Sequence, residues 1–388
     1  MTDAATTSDS AAEAVNHETP LLRVTDLRKH FTLGGLFGKR GRAAAVDGVS
    51  LDIAAGETLG LVGESGCGKS TLGRLILRLL DATSGSVSFR GEDLMTLSRR
   101  AMTDKRRDIQ LVFQDPFSSL NPTMTVRDLV AEPLIVHRVD LRSGIDRRVG
   151  ELLEMVGLKP AHMTRYPHEF SGGQRQRIGI ARALALSPQL LVCDEPVSAL
   201  DVSVQAQVLN LLRALQQKTG VGMLFISHDL MAVRYVAHRV AVMYLGRLIE
   251  TAPTAAIFAM PRHPYTRALL DAVPSLDAER VPRKVLQGDL PSPLNPPPGC
   301  HFHPRCSYAT ARCREEAPQL TRDADGHACA CHHWRELPEW TGLSPSLTRP
   351  VDPRLARLLE RFRQPIAAEA DTAPTSPTTV STGALLDA

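Results

Sequence analysis

The 388-residue sequence lacks any run of 18 consecutive apolar residues, and even its most apolar stretch, Leu75 to Leu80, is interrupted by Arg78. It therefore contains no candidate transmembrane helix. The sequence also lacks an excess of charge, because 45 Lys+Arg face 42 Asp+Glu. That balance does not favour nucleic-acid binding by charge alone. The first 20 residues carry four acidic residues and no Lys or Arg, which excludes a signal peptide and predicts a cytoplasmic protein.

Regular structure is expected to be absent at both ends of the chain. Residues 1–20 and 366–388 are mostly Ala, Thr, Ser and acidic residues. Such segments bury too little apolar surface to offset the entropy of ordering them, so we predict two disordered tails. At about 150 residues per domain, the length between them fits two domains or slightly more.

Short apolar segments alternate with helical patterns in the first two thirds of the chain. Glu57–Val62, Ile109–Phe113 and Leu190–Cys193 favour strands, whereas Lys69–Leu80 and Val204–Gln216 favour helices. This alternation predicts a mostly parallel α/β sheet. A Gly- and Arg-rich insertion at residues 34–42 predicts a long hairpin loop.

The segment from Gly63 to Thr71 carries the phosphate-binding loop pattern, with glycines at 63, 66 and 68 followed by Lys69 and Ser70. It follows a predicted strand and opens a predicted helix, as that pattern requires. Inward-facing backbone N–H groups and the helix N-terminus would attract phosphate. We expect Lys69 to reach the β/γ-phosphates and Ser70 to hold Mg²⁺. A chance glycine-rich turn is the alternative.

Two further motifs lie downstream. An apolar strand from Leu190 ends in Asp194 and Glu195. Asp194 suits a second Mg²⁺ contact, and Glu195 could act as a general base on water. Taken alone, the two acids could instead open a turn. Ser171 to Gln174 (Ser-Gly-Gly-Gln) begins a helix, and by itself this motif is only a capped helix start.

The order and spacing of these three motifs resemble the nucleotide-binding domains of ABC transporters. In that family two domains pack head to tail, with each ATP between one phosphate loop and the partner's Ser-Gly-Gly-Gln signature. The resemblance implies catalytic roles for Glu195, the switch histidine His228 and the Q-loop residue Gln114. It implies an Mg²⁺ site at Ser70, Gln114 and Asp194. It implies that adenine stacks on Phe31. The residues that it implies contact ATP are Phe31, Gly63, Ser65, Gly66, Gly68, Lys69, Ser70, Thr71, Ser171, Gly173 and Asp201.

The resemblance also implies a domain organisation. The expected fold is an α/β P-loop ABC nucleotide-binding domain at residues 21–262, with a mixed sheet core and a helical subdomain. A small Cys-rich C-terminal extension would occupy residues 263–335, followed by a C-terminal segment at 336–388. The tail at 1–20 precedes the domain.

Three segments resemble the second ATPase type of dipeptide and oligopeptide importers: His263–Leu269, Gln114–Pro122 and Cys193–Gln207. This implies an ATP-hydrolysing motor at the cytoplasmic face of the membrane, with a second ABC ATPase subunit as heterodimer partner. It also implies that the partners include two permease subunits and, indirectly, an extracytoplasmic solute-binding protein. It implies no nucleic-acid partner. Nickel or sugar import, and a soluble ABC ATPase acting on nucleic acid or ribosomes, are the alternatives.

Seven cysteines without an export signal should be thiols or metal ligands rather than disulfides. Cys300, Cys306 and Cys313 are separated by five and six residues, and Cys331 follows after seventeen more. Zinc sites usually have closer pairs, and Cys329-Ala-Cys331 is the one close pair here. The wide spacing suits a [4Fe–4S] cluster, and the segment resembles importer ATPase tails of which some hold one. In those tails the cysteine before a histidine is the last ligand, so the resemblance implies Cys331 rather than Cys329. We therefore predict this cluster on Cys300, Cys306, Cys313 and Cys331, with zinc, a disulfide or free thiols as alternatives.

Overall fold

The computed structural model describes residues 20–33, 41–139, 144–273 and 288–341. All of them belong to one structural unit, Met1–Gly342. Most of the predicted hairpin loop and nearly all of the predicted disordered tails lie outside the described residues. No helix in the described ranges is long and apolar enough to cross a membrane.

The strands follow the apolar segments of the sequence and extend several of them. Their bounds are β1 Leu22–Leu33, β2 Gly41–Ile53, β3 Thr58–Val62, β4 Ser84–Phe89, β5 Glu92–Asp93, β6 Ile109–Val112, β7 Leu190–Asp194, β8 Gly222–Ile226, β9 Arg239–Tyr244, β10 Arg247–Pro253, β11 Thr321–Arg322 and β12 Ala328–Cys329.

The helices begin mostly at capping residues or prolines. Their bounds are α1 Lys69–Ile76, α2 Arg99–Lys105, α3 Pro116–Ser119, α4 Val126–Val136, α5 Ile145–Met155, α6 Gly172–Leu184, α7 Val202–Thr219, α8 Leu230–Val236, α9 Thr254–Ala259, α10 Pro264–Asp271 and α11 Ala311–Glu315. Short 3₁₀ helices cover Pro160–Thr164, Pro167–Glu169 and His303–Arg305.

An eight-stranded mixed sheet in the order β11-β12-β10-β9-β3-β8-β7-β6 carries the site. Its strands from β9 to β6 pair in parallel, and every residue of β3, β7 and β8 is buried. Uninterrupted burial is typical of parallel strands that are covered on both faces. In register, Val112 pairs with Cys193, and Asp194 pairs with Ile226. The carboxyl ends of β6, β7 and β8 therefore lie side by side at one edge of the sheet.

A separate antiparallel sheet in the order β2-β1-β4-β5 was not predicted as such. Side chains from both sheets and from α1 form one continuous core, as in Leu27 of β1, Leu72 of α1 and Val192 of β7. Helices α3 to α6 pack on one another and correspond to the predicted helical subdomain. The mixed sheet core and the helical subdomain expected from the sequence are therefore confirmed.

The segment after Arg262 is connected to the main sheet through its short strands. Glu250 of β10 pairs with Cys329 of β12, and Thr321 of β11 pairs with Cys329 on its other side. The C-terminal region thus extends the sheet that holds the phosphate loop, at the end opposite β6. The domain boundary at residues 262 and 263 stays a prediction.

Candidate nucleotide-binding site

The phosphate loop joins β3 to α1 and depends on glycine. Gly68 has φ +108°, and a Cβ there would lie 2.1 Å from the carbonyl oxygen of Ala45. At Gly63 a Cβ would lie 2.2 Å from the carbonyl oxygen of Met243. Only residues without a side chain fit such approaches. The seven predicted contacts of this segment all lie on the loop or the first turn of α1: Gly63, Ser65, Gly66, Gly68, Lys69, Ser70 and Thr71.

Lys69 is buried inside this loop, with 4% of its surface exposed. Its Nζ donates to the carbonyl oxygens of Gly63 at 2.8 Å and Glu64 at 3.0 Å. Both acceptors are neutral, and no carboxylate in the described ranges forms an ion pair with this ammonium. A buried cation with neutral partners retains a strong attraction for an anion, so the loop is suited to phosphate.

Ser70 and Asp194 meet between α1 and the end of β7. The Ser70 hydroxyl donates to Asp194 Oδ1 at 2.8 Å. Burial raises the pKa of Asp194, and the hydrogen bond from Ser70 opposes that rise. Hydroxyl and carboxylate oxygens are the ligands that Mg²⁺ prefers, so these two residues fit the predicted magnesium site.

Gln114 and His228 converge on one carboxylate oxygen of Glu195, the residue that follows Asp194. Gln114 Nε2 donates to Glu195 Oε2 at 3.1 Å, and His228 Nδ1 lies 3.2 Å from the same oxygen. They follow β6, β7 and β8, whose level ends bring them together. Glu195 has φ +47°, which is uncommon for a side-chain-bearing residue and is found often at functional sites. The Glu195 N–H donates to Ile226 O at 3.0 Å and fixes this turn.

The signature residues lie at the start of α6. Ser171 and Gln174 cap this helix reciprocally. The Ser171 N–H donates to Gln174 Oε1 at 3.1 Å, and the Gln174 N–H donates to Ser171 Oγ at 3.4 Å. A Cβ on Gly173 would lie 2.2 Å from Val204 Cγ1, so this glycine is also needed for packing against α7. Asp201 is exposed at the N-cap of α7 and makes no side-chain capping bond. Within the described ranges, no hydrogen bond joins Ser171 or Asp201 to the phosphate loop of the same chain.

Phe31 lies on β1 of the antiparallel sheet, opposite Ala43 of β2. Phe31 is 38% exposed, and Lys29 Nζ lies 5.2 Å from the centroid of its ring. The same strand β2 contacts the phosphate loop at Ala45. An exposed ring on this sheet is available for stacking.

The predicted iron–sulfur cluster is wrong. Cys300, Cys306, Cys313 and Cys331 do line one small cavity together. Among the residues that the structure describes, however, no group of three or more His, Cys, Asp or Glu side chains could hold a metal ion. Burial raises the pKa of Cys306 to about 11 and of Cys331 to about 12. The zinc alternative has no support for the same reason as the cluster.

Sequence reasoning missed a buried polar network around Glu250. This fully buried carboxylate accepts from the N–H groups of Arg262 at 2.6 Å and His263 at 3.0 Å, and pairs with His327 Nε2 at 2.7 Å. His263 caps α10 by accepting from the Tyr265 N–H at 3.0 Å, and burial lowers the pKa of His263 to about 4. These contacts anchor the C-terminal region and give the His-Pro-Tyr segment a structural role.

Two family models match the chain. The ABC transporter model matches residues 46–198, which include the phosphate loop, the signature and Glu195. The model of the oligopeptide/dipeptide transporter C-terminal region matches residues 249–313.

Solved cassettes have the same fold. A dimeric ATP-binding cassette, MJ0796, bound to ADP and Pi is 30% identical, with a TM-score of 0.54 over 60% of this chain and 98% of that one. CbiO1 from Clostridium perfringens is 28% identical, with a TM-score of 0.54 over 62% and 92%.

Similarity to whole transporter subunits extends further along the chain. The oligopeptide transport ATP-binding protein AppF of Bacillus subtilis is 51% identical over 328 residues, which cover 82% of this chain and 98% of AppF. That match spans both the cassette and the C-terminal region. The chain therefore belongs to the ABC transporter family, among the ATP-binding proteins that carry the oligopeptide/dipeptide transporter C-terminal region.

Proposed function

We propose that this protein is the ATP-hydrolysing subunit of an ABC importer that takes up peptides. The observation that carries the proposal is the convergence of Gln114 and His228 on Glu195, the residue after the Asp194 that bonds Ser70 in the first turn of α1. That arrangement supports Glu195 as a general base that acts on a nucleotide held by the phosphate loop. The C-terminal region and the similarity to AppF support peptides as the transported class.

The residues of the loop bind and orient ATP. Its backbone N–H groups and Lys69 would hold the β- and γ-phosphates, and Phe31 would stack on adenine. Ser70, Asp194 and Gln114 would hold Mg²⁺, which when bound neutralises charge on the phosphate oxygens. Glu195 Oε2 would accept a proton from the attacking water. Gln114 and His228 restrain that oxygen, so it does not have to be ordered during the reaction.

A complete site needs a second cassette in this proposal. Ser171 and Gly173 would contact the nucleotide held by a partner ATPase, and Asp201 would lie at the same interface. The exposure of Ser171 and Asp201 and their lack of hydrogen bonds to their own phosphate loop support this arrangement. The similar cassette MJ0796 is dimeric. We propose a different ABC ATPase chain as the partner, together with two permeases and a solute-binding protein, at the cytoplasmic face of the membrane.

ATP binding by the full chain and Mg²⁺-dependent phosphate release by the assembled complex test the proposal. The wild type is expected to bind ATP and to release phosphate only with Mg²⁺. Lys69→Ala should bind ATP more weakly and should release no phosphate, whereas the exposed Lys218→Ala should behave as wild type. A wild-type chain that binds no nucleotide would refute the proposed function.

The partner is tested separately by native mass spectrometry of the complex extracted from membranes. One copy of this chain beside one copy of a second ATPase is expected. Two copies of this chain would refute the heterodimer and leave the ATPase assignment in place.

A further inference from the structure

The C-terminal region contacts the phosphate loop directly through Arg305. This residue ends the 3₁₀ helix His303–Arg305, and its guanidinium forms a two-pronged ion pair with Glu64, the second residue of the loop. Arg305 Nη1 lies 2.7 Å from Oε2 and Nη2 lies 3.0 Å from Oε1. The Arg305 side chain is only 5% exposed and that of Glu64 is 28% exposed. Paired, partly buried contacts of this geometry are strong and directional.

The same residue of the loop is held a second time by Tyr265. The Glu64 N–H donates to the Tyr265 hydroxyl oxygen at 2.8 Å. Tyr265 is fully buried in α10, and its ring packs edge-on against Tyr244 and Phe302 with centroids 4.7 and 5.4 Å away. An acceptor on such a fixed ring constrains the position of the peptide that it binds.

Glu64 therefore joins the C-terminal region to Lys69 of the phosphate loop. Its carbonyl oxygen accepts from Lys69 Nζ at 3.0 Å, while its N–H and its carboxylate are held by Tyr265 and Arg305. Arg305 also neutralises a carboxylate that lies within the phosphate loop. Without this arginine, the negative charge of Glu64 would oppose the binding of an anionic nucleotide.

We propose that Arg305 and Tyr265 are positioning residues for the phosphate loop, through which the C-terminal region sets the affinity of the cassette for nucleotide. The proposal rests on the proposed ATPase function. It extends that function by giving the C-terminal region a task within the nucleotide site. The region is also anchored by the Glu250 network, so its docking does not depend on Arg305 alone.

Binding of ADP and of a non-hydrolysable ATP analogue to the full chain, measured by calorimetry, tests the proposal. Arg305→Ala should weaken both by about tenfold or more, since it removes a charge-assisted pair and leaves Glu64 uncompensated. Glu64→Gln combined with Arg305→Ala should recover most of the loss, because the repelling charge is then absent. Arg312→Ala, which removes an exposed ion pair with Glu316 in the same region, is the matched control and should bind as wild type.

A second variant separates positioning from folding. Tyr265→Phe keeps the buried ring and removes the acceptor for the Glu64 N–H, so nucleotide binding should weaken severalfold while the thermal midpoint stays close to that of Arg312→Ala. Unchanged nucleotide affinity in both Arg305→Ala and Tyr265→Phe would overturn the proposal. The proposal would also be overturned if Glu64→Gln combined with Arg305→Ala bound nucleotide as weakly as Arg305→Ala alone. In those cases, nucleotide binding by the wild type and weaker binding by Lys69→Ala would still support the proposed ATPase function. A wild-type chain that binds no nucleotide would overturn both.

Discussion

Replacing Glu195 with glutamine tests the catalytic centre with little change in shape. The Glu195 side chain is 13% exposed and accepts from Gln114 at 3.1 Å. Glutamine fills the same volume, and its amide oxygen can still accept that hydrogen bond. The change therefore creates no cavity, and it removes the negative charge and the basicity of the oxygen next to His228. We expect a loss of chemistry without a loss of fold.

The size of the effect follows from the role of a general base. Such a group contributes about 10²- to 10⁴-fold to rate, which corresponds to about 3 to 5 kcal/mol in the activation barrier. Nucleotide affinity should remain near that of the wild type, because Lys69 and the loop are untouched. Binding and turnover should therefore separate in this variant.

Single-turnover phosphate release in the assembled complex measures this effect. In the proposed heterodimer the phosphate-loop lysine of the other ATPase subunit is replaced, so that only the site of this chain is measured. Glu154→Gln, an exposed change on α5, serves as the matched control. If Glu195→Gln released phosphate within threefold of this control, Glu195 would not be the base and the mechanism would be refuted.

Three further predictions concern binding, assembly and stability. Lys69→Ala should weaken ATP binding by about tenfold to a hundredfold in calorimetry, since it removes a charged phosphate contact, and unchanged affinity would contradict that role. Ser171→Arg should leave ATP binding to the isolated chain intact and abolish ATP-dependent dimerisation in size-exclusion chromatography; weaker binding by the isolated chain would contradict the two-chain site. The pKa of His263 is lowered to about 4, so its contribution to stability is present above pH 6.5 and is lost as the pH falls. His263→Asn, which keeps a capping oxygen, should therefore reduce the loss of unfolding free energy between pH 7 and pH 5 by about 2 kcal/mol in denaturant titrations; an unchanged loss would contradict the buried neutral histidine.

Local sequence patterns predicted the parts of the site whose geometry is itself local. The phosphate loop needs glycine at positions that adjoin β3 and α1, and this requirement is visible as spacing. The acids that end β7 were predicted because an apolar strand followed by carboxylates is a short pattern. The roles of Gln114 and His228 came from family resemblance. Their contact with Glu195 was not predicted, since only the register of three parallel strands brings these residues together.

The remaining features depend on contacts between distant residues. Glu64 and Arg305 are 241 positions apart, and no periodicity links them. Glu250 lies in β10 beside Ile249 and Thr251, and its buried partners come from two later segments. The spacing of the cysteines correctly gathered four of them around one cavity, but spacing does not determine whether thiols are placed to hold a metal.

Peptide uptake driven by this chain is the most direct test of the account. Proteoliposomes would contain the two permeases, this chain and the second ATPase, with Mg²⁺-ATP inside and the solute-binding protein and a labelled oligopeptide outside. The account predicts that the peptide accumulates only with ATP, and that Lys69→Ala abolishes accumulation while Lys218→Ala does not. Accumulation that persists in Lys69→Ala, or ATP hydrolysis that moves no peptide, would contradict it.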